Sequence, residues 1–120
     1  MRREVCMTRI SGWGRAQSSE SDVVDLTTAD QARELFARAQ NRNDFPLGVT
    51  LRGLGRSYGD ASINSGGTVA VCTNSFQFHD NGPSIDIDSQ HQCARVSAGV
   101  SIEYLLRALV PAGFFVPVTP

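Results

Sequence analysis

Lysine is absent from this chain of 120 residues, and all eleven basic side chains are arginine. Schiff-base and lysine-general-base chemistry are thereby excluded within these residues. A Walker A phosphate loop is excluded too, since it requires Gly-Lys-Ser/Thr. Cysteine is scarce: Cys6, Cys72 and Cys93 are widely spaced, and neither they nor His79 and His91 form a metal-ligand pattern. No disulfide framework or metal site is expected, and free thiols fit a reducing compartment. An excess of one charge sign is also missing, with a net charge of −1 and a pI near 6.0. A domain that binds nucleic acid by neutralising phosphates is basic, so no nucleic-acid partner is expected. There is no signal-peptide core and no apolar run long enough to span a membrane. The resulting expectation is a cytoplasmic protein, or one associated with a membrane only at its surface.

What remains is a globular composition, 41% hydrophobic and 19% charged, enough for one small domain. Residues 1–10 read as a basic, irregular start, followed by Gly12-Trp13-Gly14-Arg15 with the only tryptophan. Trp13 suits a plug at the edge of the core, or a ring packed near a ligand's ring system. Ser18–Asp22 reads as a polar loop and Val23-Val24 as a short strand. Thr28 and Gln31 form a capping-box pattern, with Asp30 in the first turn. Ala32, Leu35, Phe36 and Ala39 then recur at helical spacing. Strands are expected over Val49–Leu51 and Thr68–Cys72, where Cys72 acts as a small buried hydrophobe. A polar loop from Asn74 to Pro83 holds His79. A hairpin over Ile85–Ile87 and Cys93–Ser97 turns at Ser89-Gln90-His91, and both histidines, without partners in sequence, read as ordinary surface residues. Ser101 caps a second helix whose apolar face is Ile102, Leu105, Leu106 and Leu109. Pro111-Ala112-Gly113 stops it, and Phe114–Val118 reads as a buried strand. The fold class is α+β.

The densest chemistry lies in Arg52-Gly53-Leu54-Gly55-Arg56-Ser57-Tyr58-Gly59-Asp60, directly after a strand. Glycine permits positive φ and close approach of backbone to a ligand, so such a run can aim successive N–H groups at one anion. Arg52 and Arg56 add forked, permanently charged donors suited to phosphate. A plain glycine-rich turn with solvated arginines is the alternative. A Rossmann fingerprint needs G-x-G-x-x-G opening a helix. Here the third glycine, Gly59, comes one position late, and Asp60–Gly67 shows no helical period. The loop runs from strand to strand.

These residues resemble the first FAD-binding loop of the vanillyl-alcohol-oxidase-type flavoproteins, whose FAD domain is of the PCMH type. The likeness is strongest to the branch that oxidises a lipid-linked ribose for cell-wall arabinan. It extends over Gly12–Arg15, Asn64-Ser65-Gly66-Gly67, Ala98–Ser101 and Gly113–Pro120. The resemblance implies residues 1–18 as an N-terminal segment and 19–120 as an incomplete first FAD-binding subdomain, a small mixed sheet with flanking helices. It implies FAD contacts at Arg52, Gly53, Leu54, Gly55, Arg56, Ser57, Tyr58, Gly59, Asp60, Ala61 and Pro120. Arg56 and Ser57 would lie near phosphates and Tyr58 near the flavin.

Tyr58 stands where many relatives carry a histidine bonded to the flavin, so the FAD is expected to be non-covalent. The whole protein would be an FAD-dependent oxidoreductase acting on a sugar-type or lipid-linked alcohol, with a reductase subunit as a further partner. Relatives carry the second FAD loop, the substrate domain and the catalytic base beyond the matching Thr-Pro, so no catalytic residue is assigned and a truncated oxidase is expected. A sugar-lactone or alditol oxidase, and a non-catalytic nucleotide-binding module, are the alternatives.

Overall fold

A computed structural model describes residues 5–77 and 85–119. The chain begins with β1 (Met7–Ser11), β2 (Ser18–Thr28), α1 (Ala29–Ala39), β3 (Val49–Arg52) and β4 (Thr68–Gln77). It continues with β5 (Ile85–Asp88), β6 (Cys93–Val96) and α2 (Ile102–Leu109). The fold is mixed α/β. A four-stranded sheet in the order β1-β2-β4-β3 is joined by a separate hairpin, β5-β6.

Within the larger sheet β1 and β2 are antiparallel, whereas β4 runs parallel to both β2 and β3. Parallel neighbours require a crossover. Between β2 and β3 that crossover is α1. Thr28 caps it as a full capping box, its hydroxyl accepting from Gln31 N while the Gln31 side chain accepts from Thr28 N. Between β3 and β4 the crossover has no helix. The glycine loop itself must travel back from the end of β3 to the start of β4.

The core is small. Leu26 of β2 and Ala70 of β4 are buried, and Val24, Ala32, Leu35, Val49 and Cys72 pack on them. Val69 is fully buried in the same central strand. Half-burial pushes the Cys72 thiol above its ordinary pKa, consistent with a thiol serving as a small hydrophobe. Cys6 and Cys93 are exposed.

Several expectations need correction. Ser18–Asp22 is strand rather than loop, and Met7–Ser11 is strand where an irregular segment was expected. Ser19, Ser21 and Asp22 are buried. The two serine hydroxyls share a hydrogen bond of 3.1 Å, and Ser21 Oγ donates to Asn64 O at 2.8 Å. Asn74–Gln77 extends β4, while His79 and the rest of the expected loop to Pro83 lie outside the described residues. Phe114–Val118 forms no strand, and Phe115 and Val118 are exposed. Phe36 is 42% exposed, and the residues of α1 that pack on the core are Ala29, Ala32 and Leu35. His91 is an exposed surface residue as expected, with its Nδ1 2.7 Å from Asp88 Oδ2 in the β5-β6 turn.

Candidate functional site

The glycine loop is held from one end by Arg52, the last residue of β3. Its Nη1 donates to Ser62 O at 3.2 Å and Ser62 Oγ at 3.1 Å, and its Nη2 donates to Ser11 O at 2.9 Å. One guanidinium thus ties the start of the loop to its far end and to the β1-β2 hairpin. Gly55 lies directly over that guanidinium, and any side chain there would collide with it. Gly55 and Gly59 have φ of 71° and 63°, the left-handed region that favours glycine. Both glycines are therefore required by the path of the loop.

The hairpin turn meets the loop at two more points. A Cβ on Gly12 would run into the carbonyl oxygen of Gly59, so the two backbones pack in direct contact. Beside them, the Arg56 guanidinium lies over the Trp13 ring, 5.8 Å from its centroid. Trp13 is 57% exposed, which overturns the reading of it as a core plug. Turn and loop together make one surface.

The outer side of this surface is unclaimed. Throughout Leu54–Ala61 no backbone N–H donates to an acceptor among the described residues. The loop is nearly all exposed, and space is open where a Gly59 side chain would be. Arg56 makes no hydrogen bond or ion pair among the described residues, in contrast to Arg52. Tyr58 is 88% exposed and projects from the same loop. Consecutive N–H donors with one uncommitted guanidinium fit a diphosphate group. Two depressions among the described residues lie elsewhere. One of about 630 Å³ is bordered by Leu35, Phe45 and Thr68, and one of about 220 Å³ by Ile87, Leu105 and Phe115. The loop is an open wall, not an enclosed pocket.

Of the sequence-predicted site residues, Gly53, Leu54 and Arg56–Ala61 are exposed along the loop, whereas the Arg52 guanidinium turns inward as a support, Gly55 is buried against it, and Pro120 lies outside the described residues. Ser11 and Ser62 were missed as supports. Nothing in the local sequence marks them, because their partner Arg52 is distant in the chain from one and separated by the whole loop from the other. Gly12 carried a usable signal in the Gly-Trp-Gly triplet.

No protein-family model matches the chain. Over 114 residues it is 40% identical to the decaprenylphosphoryl-beta-D-ribose oxidase of Mycolicibacterium smegmatis (strain ATCC 700084 / mc(2)155). The match takes in 93% of this chain and 23% of that relative's length.

Proposed function

We propose that Arg52–Ala61 is one wall of an FAD site, with the cofactor's pyrophosphate lying against the N–H groups of Leu54–Ala61. The single observation that carries this reading is that run of unclaimed donors on a backbone held in place by Arg52 and Gly55. The similarity to an oxidase supports a redox cofactor over another phosphate ligand. In this reading the sheet is the first subdomain of a PCMH-type FAD domain, and the chain is part of an oxidoreductase. The larger protein oxidises a ribose-type, lipid-linked alcohol, with a reductase subunit as a further partner. When bound, FAD supplies the two-electron acceptor for oxidation of a hydroxyl-bearing carbon. The chain's own residues bind and orient: N–H groups and Arg56 hold the phosphates, and Tyr58 flanks the flavin without bonding to it. Pro120 would approach the cofactor from the second loop.

Titration with FAD, followed by flavin fluorescence, tests the assignment. Saturable binding is expected, weakened roughly 10- to 100-fold by Arg56→Ala, the range for a hydrogen bond to a charged group. Unchanged affinity in that variant would remove Arg56 from the site. Acid precipitation of the loaded protein is expected to leave a colourless pellet; a yellow one would mean a covalent flavin. Equal affinity for ADP and FAD would favour a nucleotide-binding module instead.

A further inference from the structure

We infer that Trp13 is a positioning residue for the phosphate ligand of the glycine loop, acting through Arg56. The inference rests on the FAD reading above and goes beyond the loop itself. Three contacts dock the β1-β2 turn on the loop: Gly12 against the Gly59 carbonyl, Ser11 O accepting from Arg52, and Trp13 beneath Arg56. The first two fix where the turn sits. The third has no structural necessity, since both side chains are exposed and neither fills the core.

Its chemistry suits a binding role. A guanidinium stacked on an aromatic ring uses its face, while its N–H donors lie in its plane and stay available to an anion. An unrestrained arginine loses its rotamer freedom when it grips a phosphate. One already resting on Trp13 has lost part of that freedom beforehand, which favours binding. The tryptophan touches the arginine, and the arginine touches the phosphate.

The test compares FAD with riboflavin, which lacks phosphate, on the whole chain. Trp13→Ala is expected to weaken FAD binding about two- to fivefold, the size of an exposed cation–π contact, and to leave riboflavin binding unchanged. Trp13→Phe should retain part of the effect. On an Arg56→Ala background, Trp13→Ala should add nothing. Trp13 is the sole tryptophan, so its emission gives a ligand-free readout, expected to shift in Arg56→Ala. Equal losses for FAD and riboflavin, additive losses in the double variant, or unchanged emission would each overturn the inference. If the unaltered chain binds FAD and Trp13→Ala binds it equally well, this inference falls alone. If the unaltered chain binds no FAD, the cofactor reading falls and takes this one with it.

Discussion

Arg52 turns its guanidinium inward onto Ser62 and the Ser11 carbonyl, while Arg56 lies outward on Trp13. In the sequence both look like phosphate donors, because residue type and loop position are the same. What separates them is the partner set, and that depends on a hairpin far away in the chain. Gly12 shows the same dependence. Its backbone has no left-handed φ; its demand comes from the Gly59 carbonyl packed where a Cβ would be. Gly14, two residues on, meets nothing within 4 Å. The pair makes a controlled test. Gly12→Ala should lower stability by about 1–3 kcal/mol, the usual cost of overpacking. Gly14→Ala should stay within about 0.5 kcal/mol, as for an unconstrained surface change. Urea unfolding of the two variants measures the difference, and equal effects would mean that turn and loop are not in contact.

At the level of elements, both helices were legible because their signals are local. Thr28 with Gln31 and Ser101 with its first turn identify the starts, and each cap is made as expected. The first half of β2 was not legible. Ser18-Ser19-Glu20-Ser21-Asp22 has poor strand propensity. It is extended because β1 pairs along it and Asn64 accepts from Ser21. Phe114–Val118 failed in the other direction: its apolar run looked like a buried strand, yet it pairs with no strand among the described residues. The β5-β6 turn adds a local switch. The His91 side chain, then the His91 backbone N–H, hold the Asp88 carboxyl below its ordinary pKa. A carboxylate with a depressed folded-state pKa stabilises above its unfolded value, and that contribution disappears as pH falls through the folded value. Asp88→Ala should therefore lower the melting midpoint at pH 6, and the gap from the unaltered chain should close as pH drops below about 3.9. A gap that stays constant across that range would show that the carboxylate's charge is irrelevant.

For the molecule as a whole, surface and size disagree with a finished domain. A folded monomer of 13.0 kDa exposes about 6,300 Å², whereas this chain exposes 8705 Å². Its radius of gyration is 16.4 Å, against about 13.6 Å for a compact domain of this length. The reason lies in the elements already described. The outer edges of β1 and β3 have no further neighbour among the described residues, and β5-β6 is a two-stranded sheet on its own. Such a hairpin is marginal without a third strand or a covering helix, and α2 supplies only partial cover. Val96, Ile102, Val110, Phe115 and Val118 stand exposed on these C-terminal elements. Open edges next to apolar side chains invite pairing with another chain. The 120-residue chain is therefore expected to self-associate with rising concentration, as read by light scattering. A double change, Phe115→Ser with Val118→Ser, should reduce that association without loss of the sheet signal in circular dichroism, because neither side chain is part of the core around Leu26 and Ala70. A chain that stays monomeric at high concentration would show that the exposed C-terminal surface is self-sufficient. The same outcome would weaken the reading of this chain as one wall of a larger FAD site, since a wall is defined by the surface it leaves for others to cover.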